Sequence, residues 1–392
     1  MTNYQYSGGQ LTVFLTGRIT SANASTVDNE LKEIIAANPP QSLVLDCTGL
    51  EYISSSGLRI VLRLSKSVGN LKVINTSPVV FDIFDMTGFT QMMEVRKALL
   101  HVSVKGCKVI GEGANGKVYR ANDDTIVKVY SKAESPEDIQ REIELARKAF
   151  VKGIPTAIPY MIVKVDDGSY GSVFERLEAR SFADILKSEP ERLEEIAQLS
   201  AGLLKTIHAT TLNPGELPDV KQLTLHRIEV IKPYLPESQY ARLWELVAAI
   251  PDDRHMIHGD YHLKNIMMQD GEAMLIDMDT LCEGNPVFEL GHMYNSFLGY
   301  SDVKRDNVKE FIGISYETAY QLWNRILSLY LGTEDANVIR SVQNKAMVIG
   351  YSRVMHHFVR HGEKDEERRR LEIENCRQKF STLLPIVSEL AI

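Results

Sequence analysis

The chain has 392 residues, room for two or three domains, and its 44% hydrophobic and 24% charged residues exclude a disordered or fibrous protein. Its net charge is −8. Residues 1–100 carry eight Lys/Arg and eight Asp/Glu, so the acidic excess lies in residues 101–392, which argues against a nucleic-acid partner. In chain order, residues 11–20 read as a strand and 21–38 as a helix with Leu31, Ile34 and Ile35 on one side. Residues 41–47 read as a strand buried on both faces. Ser55 or Ser56 can cap the next helix, which stops at Gly69. Another strand starts at Leu71, and a short helix ends at Gly88. The β-α-β-α-β-α order predicts a compact sheet with helices packed on it.

After Leu100 the pattern restarts. Antiparallel strands are predicted, with turns at 111–116 and 122–124. A helix follows over 135–150, with Ser135 as cap and Pro136 at its first position. A strand over 169–178 comes next. Beyond Ser181 the chain reads as mostly helical, at 181–187, 190–210, 219–232, 236–249, 315–331 and 335–360, interrupted by a strand at 274–279. The mixed-charge stretch 362–374 reads as a solvated helix face. No apolar run approaches the ~18 residues of a membrane span. The first ten residues lack the basic cluster and apolar stretch of a secretory signal. Cys47, Cys107, Cys282 and Cys376 are far apart, which gives neither a metal motif nor a disulfide framework and suits a reducing cytoplasm.

Three motifs carry chemistry. Gly111, Gly113 and Gly116 form a G-x-G-x-x-G followed by Val118; the strand that follows favours a hairpin over phosphates rather than a dinucleotide turn, with a plain hairpin as the alternative. Lys128 sits in an apolar strand, where an ammonium is costly unless paired. Glu142 or Glu144 on the next helix could pair with it, Glu142 being preferred; otherwise Lys128 lies on an edge strand facing solvent. The run His258-Gly259-Asp260-Tyr261-His262-Leu263-Lys264-Asn265 is the most specific. Asp260 can accept a hydrogen bond from an attacking hydroxyl, Asn265 can offer an oxygen to Mg²⁺, and Asp277 is a second hard ligand. Zinc would need a third nitrogen or sulfur ligand, and none stands at a fitting spacing. His258 is expected to hold the loop through its ring nitrogens.

With these residues in this order, the chain from about 105 to 300 resembles the protein-kinase-like superfamily, nearest its aminoglycoside/choline phosphotransferase branch. H-G-D-x-H-x-x-N and I-D-M-D replace the H-R-D and D-F-G of typical protein kinases. The resemblance implies an α+β bilobal domain over 105–392, with a β-rich N-lobe to about 178 and a helical C-lobe from 179. It implies ATP and Mg²⁺ as cofactors, Asp260 as catalytic base, and Asn265 and Asp277 as metal ligands. Nucleotide contacts are implied at Gly111, Gly113, Gly116, Val118, Lys128 and Glu142, and at a hinge containing Glu175 and Leu177. Ala179-Arg180 departs from the glycine common after the hinge. His208 is expected to pack rather than react. Asp279, Glu283 and Glu289 could line an acidic acceptor site for a cationic substrate, or serve structural hydrogen bonds. Arg353, His356, His357 and His361 share one predicted helix, as its surface or as lining of the acceptor cleft.

Residues 8–100 resemble the STAS (anti-sigma-factor antagonist) family through 11–17, 43–46, 53–58, 71–74 and 84–89. This implies an α/β regulatory domain over 1–100 and an anti-sigma-type protein partner. Independently, three hydroxyls at a strand-to-helix turn favour added negative charge. The family pattern assigns the phosphoacceptor to Ser55, although Ser54 replaces the usual preceding Asp; Ser56 is the neighbouring candidate, and both could merely cap the helix. The readings are therefore a small-molecule hydroxyl phosphotransferase, a serine-phosphorylating signalling switch, or a non-catalytic nucleotide scaffold.

Overall fold

The computed structural model describes residues 3–113, 116–131, 135–361 and 365–392. The chain divides into two units, Met1–Ser103 with Val163–Gly168, and Val104–Ile162 with Ser169–Ile392.

In the first unit, β1 (Asn3–Ser7), β2 (Gln10–Ile19), β3 (Ser42–Ile53), β4 (Leu71–Thr76) and β5 (Glu94–Lys97) form one sheet in sequence order. The β1–β2 pair is antiparallel and the other pairs are parallel. Helices α1 (Ala24–Ala37), α2 (Ser55–Ser67) and α3 (Pro78–Met86) supply the crossovers. Leu11, Val13, Leu43, Leu45 and Val73 of the strands are buried with Phe84 of α3. The predicted strand 41–47 continues to Ile53. The cap of α2 is Ser54 rather than Ser55 or Ser56: Ser54 is extended (φ −84°, ψ 171°) and its hydroxyl accepts from Gly57 N at 3.4 Å. Ser55 and Ser56 are the first helical residues, Ser55 exposed. Gly57 is needed here because a Cβ would stand 2.6 Å from Ile53 Cγ1. A short strand β6 (Leu100–Val102) pairs in parallel with Val163–Val165.

The second unit opens with β7 (Lys108–Gly113), β8 (Gly116–Arg120) and β9 (Thr125–Tyr130), an antiparallel meander. Helix α4 (Pro136–Val151) starts at the expected cap, the Ser135 hydroxyl accepting from Asp138 N at 3.1 Å. Strand β10 (Pro159–Val165) was not anticipated; β11 (Tyr170–Glu175) pairs with β9, making β9 an interior strand. Then follow β12 (Arg180–Ser181), α5 (Phe182–Ser188), α6 (Leu193–Ala209), α7 (Val220–Ile231) and α8 (Glu237–Ala248). Strands β13 (Met256–Ile257), β14 (Ile266–Gln269), β15 (Glu272–Leu275) and β16 (Cys282–Glu283) frame the H-G-D loop. The predicted strand 274–279 ends at Leu275, because Asp277 adopts left-handed backbone (φ 66°).

The remaining helices are α9 (Val287–Phe297), α10 (Asn307–Phe311), α11 (Tyr316–Leu331), α12 (Ala336–His361) and α13 (Glu366–Leu383). Helix α9 is buried nearly all round, so it shows no amphipathic stripe to read. The charged stretch is only partly a solvated face: α13 buries Glu372 and Ile373. Residues 362–364 of that stretch lie outside the described residues. Trp323, Tyr351, Phe288, Phe297 and Phe380 anchor this lobe's core. Among the described residues no helix is long and apolar enough to cross a membrane, and all four cysteines are free thiols.

Candidate active site

The glycine motif forms the β7–β8 hairpin, with Gly113 paired to Gly116. Gly116 has φ 148°, and a Cβ there would stand 2.0 Å from Val129 O, so only glycine fits. Ala114 and Asn115 lie outside the described residues.

Lys128 projects from the interior strand β9, not from an edge. Its ammonium donates to Glu142 Oε1 and to Asp277 Oδ1, both at 2.8 Å. Glu144 instead accepts from Gln140 on its own helix. Burial works against the lysine's charge, but Asp277 and then Glu142 outweigh it and hold its pKa raised. A cavity of about 260 Å³ opens here. Gly111, Val118, Lys128, Glu142, Glu175, Leu177 and Asp277 line it. Gly113, Gly116, Asp260 and Asn265 are not among its lining residues.

The H-G-D loop is held from below. Buried His258 accepts from Asp260 N at Nδ1 and donates from Nε2 to Ile276 O, each at 3.2 Å. Glu289, fully buried on α9, accepts from His258 N at 2.5 Å and from Gly259 N at 3.1 Å. Burial pushes its carboxyl up to about 7 against these two bonds. Glu289 therefore serves the loop's backbone and not an acceptor. Gly259 has φ 82°, and a Cβ would meet Thr280 O at 2.5 Å.

Asp260 emerges from this frame half-exposed. Its Oδ2 lies 3.3 Å from His262 Nε2 and accepts from Asn265 Nδ2 at 3.3 Å; Arg353 Nη2 stands 3.9 Å from Oδ1. Burial alone would raise its pKa, but the hydrogen bond and charge of His262, then Arg353, hold it well below the usual carboxylate range. Arg353 Nη1 also donates to Gly259 O at 2.8 Å. Sequence reasoning left this arginine as helix surface or cleft lining, because no local pattern joins it to a loop more than ninety residues away.

Carboxylate oxygens of Glu142, Asp277 and Asp279 lie within 4.8 Å of one another. Asp279, left between an acceptor site and structural hydrogen bonds by the sequence, joins this cluster, and burial followed by the charge of Asp277 pushes it up to about 7. Glu283 pairs with Met256 across the β13–β16 ladder and lines a second cavity, of about 190 Å³, with Asp219 and Arg254. His208 packs as expected, its Nδ1 2.8 Å from Tyr330 Oη.

The profile of the phosphotransferase enzyme family matches residues 106–321, more than half of the chain, and the STAS domain profile matches residues 2–101. The N-terminal part is 35% identical over 91 residues to the "Putative anti-sigma factor antagonist BtrV" of Bordetella bronchiseptica, covering 22% of this chain and 78% of that protein. It is 26% identical over 95 residues to an anti-sigma F factor antagonist of Paenibacillus polymyxa, covering 23% and 81%. Among solved structures, aminoglycoside phosphotransferase APH(4)-Ia superposes with a TM-score of 0.50 at 12% identity, over 71% of this chain and 93% of that one. That level of identity speaks to the protein-kinase-like fold alone. A glycine hairpin over a lysine–carboxylate cleft, an H-G-D loop with an ionised aspartate and a profile spanning both lobes agree: behind an N-terminal STAS domain, the chain belongs to the phosphotransferase enzyme family.

Proposed function

We propose that the chain transfers the γ-phosphoryl group of ATP to a hydroxyl of a small molecule, with Mg²⁺, and that the STAS domain regulates it. The observation that carries this reading is Asp260: a half-exposed carboxylate kept ionised by His262 and Arg353, on the loop that also bears Asn265. The cavity at Lys128 supports placing the nucleotide there, its base toward Glu175 and Leu177 and its phosphates toward Lys128 and the glycine hairpin.

The hard oxygen donors of Glu142, Asp277 and Asp279 fit Mg²⁺ better than a soft metal, with the Asn265 amide oxygen as a further donor. Bound there, the ion would offset negative charge on the phosphate oxygens. Lys128 orients the phosphates, and Glu142 keeps its ammonium in place. Asp260 accepts a hydrogen bond from the acceptor hydroxyl and aligns it with the γ-phosphorus. The new O–P bond forms as the bond to the β-phosphate oxygen breaks, ADP leaves, and the hydroxyl proton passes to Asp260. A carboxylate with so low a proton affinity takes that proton late, so alignment is its main contribution.

A second reading is favoured by one observation. Ser54 occupies the cap of α2, which leaves the Ser55 hydroxyl exposed at the helix start, where added negative charge is stabilised. In that reading the phosphoryl acceptor is Ser55 of this chain or the equivalent serine of a partner.

One experiment tests both. Asp260→Asn should lower acceptor-dependent ATP turnover by about 100- to 10,000-fold while leaving ATP affinity intact; lost ATP binding in a folded variant would overturn the assigned role. Intact-mass spectrometry after incubation with Mg²⁺–ATP supplies the second arm. A phosphate adduct absent from both Asp260→Asn and Ser55→Ala would move the acceptor into the STAS domain, and an unmodified wild type would remove that reading in cis. ATP binding without any turnover would leave only the scaffold.

A further inference from the structure

Arginines and histidines of α7 and α12 gather in the helical lobe, and one of them reaches Asp260. Arg353 of α12 reaches the H-G-D loop, bonding Gly259 O at 2.8 Å. His356, His357 and Arg360 follow at i+3, i+4 and i+7, along the same helix face. Helix α7 packs against α12 and brings His226 and Arg227. The charges that act on His357 come from His361, Arg353 and Arg368, and those acting on His356 from Arg227, Arg360, His361 and His226. Neither set contains a carboxylate.

Arg227 is the decisive residue. It is half-buried, and among the described residues it has no hydrogen-bond or ion-pair partner. Burial, then the charge of Arg353, pull its pKa down to about 10; Cys282 and Tyr300 act against them, but no carboxylate does. Other partly buried arginines of this unit are partnered: Arg176 by Glu178 and Asp123 O, and Arg192 by Glu189 and Glu195. Beneath the loop, His292 is only 5% exposed and its ring faces the Gly259 backbone. Burial followed by the charges of Arg353 and Arg227 keeps its pKa low. Half-burying the Arg227 guanidinium without a counter-ion, in the field of Arg353, is costly in the free protein. That cost is offset when an oxyanion enters, because the planar fork of arginine matches carboxylate and phosphate oxygens.

We propose that the acceptor is itself an anion, a small hydroxyl compound bearing a carboxylate or phosphate that Arg227 and Arg353 bind while its hydroxyl faces Asp260. This rests on the phosphotransferase reading and stands against the alternative of an acidic, cation-binding acceptor site at Asp279, Glu283 and Glu289. Those three residues are committed elsewhere, to the carboxylate cluster, the second cavity and the loop backbone.

The test uses the full chain saturated with Mg²⁺–ADP, so that the nucleotide cleft is filled. Calorimetry then compares glycerol phosphate, glycerate, glycerol and serinol, one three-carbon hydroxyl frame carrying a phosphate, a carboxylate, no charge or an ammonium. An anion should bind about tenfold or more tightly than glycerol or serinol, and the stronger of the two anions identifies the oxyanion. Arg227→Gln should weaken that binding by about tenfold or more, and Arg227→Lys should restore part of it. Mg²⁺–ADP affinity and the thermal midpoint should hold in both variants. Serinol binding as tightly as the anions, no anion binding by the folded wild type, or anion binding indifferent to Arg227→Gln would each overturn the proposal. Failure of the underlying reading looks different: Mg²⁺–ADP would then not bind, or its affinity would be indifferent to Lys128→Ala.

Discussion

Glu372 and Asp260 are carboxyls of the same lobe pushed in opposite directions. Glu372 is fully buried on α13, with Arg368 Nε 3.5 Å away one turn earlier. Burial outweighs that arginine and raises the carboxyl from 4.5 to about 7. A raised folded-state pKa contributes stability at low pH that is lost as the pH climbs from about 4.5 through 7. Glu372→Gln should therefore leave stability unchanged near pH 4 and raise it by about 1–3 kcal/mol at pH 8; paired urea titrations at the two pH values would check this. Asp260 has the reverse sign, since its depressed pKa contributes stability above the ordinary carboxylate range that acid removes. Neither direction is visible in the sequence, where Glu372 sits in a run of charges that reads as solvated. Which face of α13 turns inward depends on helices distant in the chain.

At the scale of elements, the site rests on the crossing of α9 and α12. Helix α9 carries Glu289 to the loop's amides and α12 carries Arg353 to the loop's carbonyl. Two glycines set how close the helices come. A Cβ on Gly291 would stand 2.6 Å from Ile349 Cγ2, and one on Gly350 would stand 2.6 Å from Asn295 Oδ1 and 3.0 Å from Gly291 O. Asn295 Nδ2 bonds Gly350 O at 2.9 Å across the same contact. Gly350→Ala should force the helices apart, costing about 1–3 kcal/mol, and should lower kcat more than it raises KM for ATP. An unchanged kcat in a destabilised variant would separate this crossing from the geometry at Asp260. The crossing was not legible in the sequence. Helix α9 is buried nearly all round, so no stripe marks its contact face, and glycines within a helix read as weak points until the partner helix is seen.

At the scale of the whole molecule, what was legible is what is local. The alternating strands and helices of the first unit, the hairpin glycines, the Ser135–Pro136 helix start and the H-G-D run all declare themselves within a dozen residues, and the structure places each as an element or loop of the expected kind. Glu142 rather than Glu144 pairs with Lys128, because only one face of α4 turns toward β9. The cap at Ser54 was missed, and the surroundings of Asp279 and Glu283 were not legible, because each depends on a neighbour far along the chain or on a backbone angle. The anion-binding face follows the same rule: Arg227 and Arg353 meet only through the packing of α7 on α12.

The free cysteines have a practical consequence. Cys47, Cys282 and Cys376 are sealed in the cores, where burial pushes each thiol upward and away from the reactive thiolate. Cys107 alone is partly open, just past the point where the first unit gives way to the second at Ser103 and Val104. The natural chain thus carries a single addressable thiol at its own junction. A fluorophore or spin label can be attached there without first removing any other cysteine.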